Sequence, residues 1–209
     1  MRPTPLPPIA LDASVDAKIK WAVDAIQALA RASQIRFPFG NARQETWVPA
    51  AQMTSRVTNG AASGTRDSGS NDITTPVFDF DQTTSEAVQF TWAPPKRWDK
   101  STVSFVPYWT ADGGSAAETC IFTLAGVAIS NDDTSNAAFG TAQSSSDALI
   151  ATGDIHVGPE SSAITIGGTP AEADLVVFQI ARDIADTLAA DARLLGIKLF
   201  WTANAENDS

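Results

Sequence analysis

Cysteine, histidine and long apolar runs are almost missing from this chain, and each shortage removes a class of function. Cys120 is the sole cysteine of 209 residues, so no disulfide can form within the chain and the fold does not depend on an oxidising compartment. Between Thr119 and Ile121 it reads as a small buried hydrophobe. His156 is the sole histidine, which removes any His-pair metal site and leaves a Ser/His/Asp triad dependent on one residue; no G-x-S-x-G elbow surrounds any serine. Basic residues are scarce as well: 14 Lys and Arg stand against 24 Asp and Glu, a net charge of −10, with no cluster that would form a basic stripe. The expectation is therefore no nucleic-acid partner, no anionic membrane surface, no cofactor and no metal. No run approaches the ~20 apolar residues of a membrane span. Met1-Arg2 leads into Pro3, Pro5, Pro7 and Pro8, which interrupt any secretory apolar region, so synthesis and assembly are expected in the cytoplasm.

What the chain does contain is apolar residue at 44% with charge at only 18%, and abundant Ser, Thr, Ala, Gly and Asn, a composition of virion or extracellular β proteins more than of metabolic enzymes. One sandwich with a small appendage suits the length.

Residues 1–11 read as a Pro-rich attachment arm, with Pro3, Pro5, Leu6, Pro7, Pro8 and Ile9 as its contact residues. Residues 12–35 read as a helix capped by Asp12, without Gly or Pro as far as Gln34. Val15, Ile19, Ala22, Ile26 and Leu29 follow a 4-3-4-3 spacing, an a/d seam that needs other helices. Asp16 to Lys20 and Lys20 to Asp24 add weak i,i+4 support. A rod of roughly 30 Å is marginal alone, and the branched residues along the seam suit more than two strands, so a short trimeric coiled coil is expected.

Residues 36–75, rich in Gly, Ser and Thr, read as a connector in which 46–53 forms a first strand of the head. Residues 76–209 read as the head. Val88, Phe90 and Trp92 alternate with polar neighbours, as do Val103 and Phe105, then Cys120, Phe122 and Leu124. Ile155 and Val157, Ile164 and Ile166, and Val176, Phe178 and Ile180 follow, then Leu195, Ile197, Leu199 and Trp201. Period-two alternation places each set on one face of a sheet, and this many short strands predict a mainly β fold, an antiparallel β-sandwich of jelly-roll type, behind an N-terminal α-helix. Ile184 to Leu195 would suit a helix by composition and is assigned to a turn and hairpin.

Several residues invite a chemical reading. Asp79-Phe80-Asp81-Gln82-Thr83 matches the DxDxT pattern of haloacid-dehalogenase-type phosphotransferases, with Asp79 as nucleophile, Asp81 as acid/base and Asp132 and Asp133 as distant magnesium ligands. That chemistry sits on a parallel α/β fold, whereas strands follow here, so the pair is read as polar residues at a strand end. Glu160, Asp154 and Asp183 are carboxylates near loops that a glycosidase would need in pairs. Asn131-Asp132-Asp133 with Asn136 offers oxygen ligands without EF-hand spacing and is read as a turn. Of Trp47, Trp92, Trp98, Trp109 and Trp201, alternation puts Trp92, Trp109 and Trp201 in the core; Trp98, after Pro94, Pro95 and Lys96, is the ligand-facing candidate or else a plug for the sandwich end.

The stretches Thr58-Asn59-Gly60-Ala61-Ala62-Ser63-Gly64, Asp79-Phe80-Asp81, Pro95-Lys96-Arg97-Trp98-Asp99, Trp109-Thr110, Phe139-Gly140-Thr141-Ala142-Gln143 and Ala190-Asp191-Ala192-Arg193-Leu194-Leu195-Gly196-Ile197-Lys198-Leu199-Phe200 occur in this order. In them the head, over about 46–205, resembles the β-sandwich virion proteins of bacteriophages and gene-transfer agents: head spikes, fibres and tail-accessory proteins. The resemblance implies a structural or adhesion role in a virion, a trimer with a helical neck, and no catalytic residues. The expected function is a trimeric spike or fibre whose arm grips a capsid or tail protein and whose heads bind host-surface polysaccharide. A purely architectural cement protein and a glycan-cleaving enzyme are the alternatives.

Overall fold

The structure, a computed structural model, describes residues 19–26 and 42–204, in two compact units divided between residues 40 and 41. The arm residues Pro3, Pro5, Leu6, Pro7, Pro8 and Ile9 and the seam residues Val15 and Leu29 lie outside the described residues.

In the first unit, residues 19–26 form a helix, α1. Ile19, Val23 and Ile26 are 56%, 45% and 65% exposed, Ala22 is half-buried and Ala25 is buried. Lys20 and Asp24 approach to 3.8 Å across one turn, both well exposed, a contact worth little by itself.

The second unit is built from eleven strands: β1 Ala42–Pro49, β2 Thr54–Ser55, β3 Ala62–Asp67, β4 Thr74–Phe80, β5 Ala87–Trp92, β6 Ser104–Thr110, β7 Thr119–Ile129, β8 Gln143–Ala148, β9 His156–Val157, β10 Leu175–Arg182 and β11 Ala192–Ala203. They form two antiparallel sheets. One runs β3-β4-β11-β6-β9, with β1 also on β11; the other runs β2-β5-β10-β7-β8. β11 is long enough to serve two partners along one edge, β4 over Ala192–Leu194 and β1 over Gly196–Ala203, with β6 on its other side. From β4 onward the chain passes repeatedly from one sheet to the other, as a jelly-roll-like sandwich requires.

The core lies between the sheets. Phe78, Phe80, Phe105, Trp109, Leu199 and Trp201 face Val88, Phe90, Trp92, Phe122, Leu124, Phe178 and Ile180, all buried. Phe80 meets Phe122 edge-on at 5.5 Å, and Trp92 lies 6.0 Å from Trp201, so aromatic rings stitch the layers together at both places. Burying each such side chain contributes on the order of 1.5–3 kcal/mol.

Four expectations need correction. Residues 36–75 are not a connector throughout: 42–75 supply β1, β2, β3 and the start of β4. β3 is an edge strand with no fully buried residue, and its half-buried positions are Gly64 and Arg66, so it lacks the apolar alternation that marks a half-buried strand. At β9 the inward residue is His156, 4% exposed, while Ile155 and Val157 point outward at 49% and 55%. The His156 ring stacks on Trp109 at 4.5 Å, and the pairing of His156 with Trp109 sets that register. In β11 Leu194, not Leu195, joins the inward set, because a bulge between Leu194 and Gly196 inserts one residue and reverses the alternation. Finally, Ile184 to Leu195 contains no hairpin, since β10 and β11 belong to different sheets and the segment arches between them.

Candidate functional site

The outer face of the six-stranded sheet is organised by β1, β11 and β6. Register pairs Arg43 with Thr202, Glu45 with Phe200 and Trp47 with Lys198 across β1 and β11. Ser104, Val106 and Tyr108 on β6 lie opposite Phe200, Lys198 and Gly196. Alternation with the buried Phe105, Leu199 and Trp201 turns these residues outward.

At one end of this face is a cleft of about 210 Å³ whose lining includes Arg43, Ser104, Glu160, Ser161, Phe200 and Thr202. Arg43 Nη2 lies 2.6 Å from Glu160 Oε1, and the guanidinium sits 3.9 Å above the Phe200 ring. Ser104 Oγ donates to Glu160 Oε1 at 2.5 Å. Partial burial alone would raise the Glu160 carboxyl, but the hydrogen bond from Ser104 and the bond and charge of Arg43 outweigh it and hold Glu160 below the usual carboxylate range. The group is therefore a fixed anion beside a fixed cation. Glycoside hydrolysis needs one carboxyl kept protonated and a second one placed opposite it; among the described residues Glu160 is the sole carboxylate lining the cleft, and its shift has the wrong sign for an acid. The arrangement offers an acceptor, a donor fork and hydroxyls, which is binding chemistry.

The other sequence candidates lie elsewhere. Asp79 faces outward from β4 and accepts from Arg193 Nε at 2.8 Å; Arg193 Nη1 also contacts Asp112, and Arg66 Nε lies 4.0 Å from Asp112. Asp79 is thus one member of an alternating-charge network and not a free nucleophile. Asp81 accepts from the Thr83 hydroxyl and from the Thr83 and Thr84 N–H groups, each at 2.7 Å, closing the turn after β4. Those bonds, the Thr83 hydroxyl first, lower its carboxyl to about 2, the reverse of what an acid catalyst needs. Because the folded value lies below the ordinary one, the stabilising contribution of Asp81 is complete above the ordinary carboxylate range and disappears as pH falls through about 2. The melting temperature of an Asp81→Ala variant is therefore expected to trail the wild type at pH 7 and to converge with it as pH approaches 2. A gap that persists unchanged at pH 2 contradicts this account.

Asp183 accepts from the Ala185 N–H within the arch after β10, and neither it nor Asp154 lines the cleft. Asp133 accepts from the Ser130 N–H and Asn131 donates to Asp132, so these oxygens close the turn after β7. Among the described residues no three His, Cys, Asp or Glu side chains gather as metal ligands.

Trp98 is not ligand-facing. It is 1% exposed, closes the end of the sandwich and meets Trp92 edge-on at 5.1 Å. Its main-chain N–H donates to Pro95 O, so the Pro94-Pro95 turn that suggested a surface loop is what folds the indole inward. The exposed tryptophan of the head is Trp47, at 45%. Sequence reasoning named Glu160 but missed Arg43, Ser104 and Phe200. The alternation of charged and aromatic residues over Arg43, Glu45 and Trp47 was a signal for an outward face of β1.

No family model and no curated protein matches the chain. Among solved structures, the CBM36-1 domain of a multidomain xylanase from the hindgut metagenome of Trinervitermes trinervoides is similar at 12% identity, covering 75% of this chain and 96% of that one, with a TM-score of 0.42. The family 11 carbohydrate-binding module from Clostridium thermocellum is similar at 14% identity, covering 74% and 94%, with a TM-score of 0.41. A carbohydrate-binding module specific for non-crystalline cellulose, CBM28, is similar at 7% identity, covering 70% and 86%, with a TM-score of 0.44. Likeness at this level does not extend to ligand or role.

Proposed function

We propose that this chain is a structural protein of a bacteriophage-type virion: a trimer through its N-terminal helices, attached by residues 1–11 to a capsid or tail protein, with sandwich heads that bind host-surface glycans without cleaving them. The cleft carries this reading. An ionised carboxylate, a guanidinium resting on an aromatic ring and a hydroxyl at one rigid sheet face suit sugar hydroxyls, and the missing second carboxylate removes the partner that hydrolysis needs. The stalk is supported by Ile19 and Ile26, two members of the seam left exposed on the single chain, whose burial by copies of the helix would stabilise both. Three heads on one stalk would add avidity to weak individual sites. The virion location follows the resemblance carried by the stretches from Thr58 to Phe200.

The test combines solution mass with glycan binding. The full chain is expected to have the mass of three copies, and an Ile19→Asp/Ile26→Asp variant the mass of one with its head still folded. On a printed array of neutral and acidic glycans, the wild type is expected to bind and Glu160→Gln to bind about tenfold more weakly, a loss of about 1.4 kcal/mol. A monomeric wild type overturns the stalk; an array without binding overturns adhesion.

A further inference from the structure

The geometry points to a second sugar subsite on the same sheet face, a planar platform formed by Trp47, which with the cleft holds one uncharged oligosaccharide. The inference rests on the glycan-binding reading above and specifies which glycans satisfy it.

Trp47 is turned outward from β1, and the neighbouring strand makes room for its ring. A Cβ placed on Gly196 would lie 2.7 Å from Trp47 Cη2 and Cζ2, so the glycine lets the indole settle against β11. Tyr108, paired with Gly196 across β6 and β11, meets the same indole edge-on at 5.0 Å and 80°. With Gly196 giving it room on β11 and Tyr108 packed at right angles to it, the ring is held, and 45% of the residue remains exposed, leaving aromatic surface open to solvent. Such a surface matches the C–H face of a pyranose ring, which apolar side chains cover while its hydroxyls stay directed to polar neighbours. Polar neighbours are present: Lys198 Nζ and Glu45 form an ion pair at 3.3 Å, and Lys198 is the register partner of Trp47.

Two features select the ligand. Trp47 is four residues along β1 from Arg43 on the same face, roughly 13 Å at the strand rise, so one chain of several sugars reaches from cleft to platform and a monosaccharide does not. Charges on the face are paired, Arg43 with Glu160 and Lys198 with Glu45, and the whole chain carries −10. Among the described residues the cations of the cleft and the platform, Arg43 and Lys198, each have a carboxylate partner, and a polyanion would be repelled, so the ligand is a neutral oligosaccharide.

The experiment applies the full-length wild type, Trp47→Ala, Trp47→Phe and Val57→Ala to the same printed array at low and high salt. Val57 is fully exposed and lies outside the platform, so Val57→Ala is expected to match the wild type. Expected are wild-type binding to neutral oligosaccharides above the matching monosaccharides, little change with salt, at least a tenfold loss for Trp47→Ala, and partial retention for Trp47→Phe. If Trp47→Ala binds as the wild type does while Glu160→Gln loses binding, the platform is overturned and the cleft stands. Binding confined to acidic glycans, or to monosaccharides as strongly as to their oligomers, also overturns it. An array bare of wild-type signal overturns the adhesion reading and the platform with it.

Discussion

Replacing Arg182 with methionine is expected to lower stability by about 3–5 kcal/mol, the range for stranding one member of a buried ion pair. The Arg182 side chain is wholly buried and the Asp186 side chain is 1% exposed. Nε and Nη2 donate to the two Asp186 oxygens at 2.9 and 3.0 Å, Nη1 donates to Phe80 O and Ala190 O, and Nη2 also donates to Leu188 O at 2.7 Å. Every guanidinium proton thus has an acceptor, and three of those acceptors are main-chain carbonyls at β4 and in the arch between the sheets. Methionine leaves Asp186 buried beside an apolar chain and three carbonyls without this donor. In a domain of this size the melting temperature is expected to fall by roughly 6–20 °C. Arg182→Met/Asp186→Leu should recover part of the loss and not all of it, because the carbonyls still lack the donor. Cys120 gives an independent readout: burial is the main cause that pushes its thiol far above the usual value, so the wild type should resist thiol reagents, while an opened arch should admit them. A loss within about 1 kcal/mol would show that the arch holds without the ion pair.

The core strands were legible because each buries one face against the opposite sheet. Val88, Phe90 and Trp92, and Val176, Phe178 and Ile180, show period-two alternation, and all six are buried. Alternation failed where burial does not follow from it. β3 has no fully buried residue and carries no pattern, β9 is two residues long and takes its orientation from the stack of His156 on Trp109, and the β11 bulge reverses facing within one strand. The cleft is less legible still. Arg43, Ser104, Glu160 and Phe200 come from β1, β6, a loop and β11, and the antiparallel registers of β11 with both neighbours bring them together. No local spacing encodes that meeting. The outward turn of Arg43 and Trp47 is encoded, since Val48 and its buried partner Ile197 fix which face of β1 is wet.

Trp98 shows how the same limits misplace a single residue, and its substitution is expected to act on stability and not on ligand binding. Trp98→Ala should cost about 3–5 kcal/mol, as for other large aromatic truncations, because the ring sits against Trp92 and is 1% exposed. Around it the chain is pinned: Asp99 N–H donates to Thr202 O and Asn204 N–H donates to Arg97 O, so a cavity here loosens the end of β11. Trp98→Phe should cost distinctly less. It keeps most of the ring, and the indole N–H that it removes has no acceptor among the described residues, so no protein hydrogen bond is lost. Denaturant unfolding of the two variants measures the difference, and the glycan array measures whether either alters binding. Equal losses for Phe and Ala would mean that the indole N–H makes a bond of its own. A binding loss in Trp98→Phe, with stability near the wild type, would return the residue to the ligand face that its position after Pro94 and Pro95 first suggested.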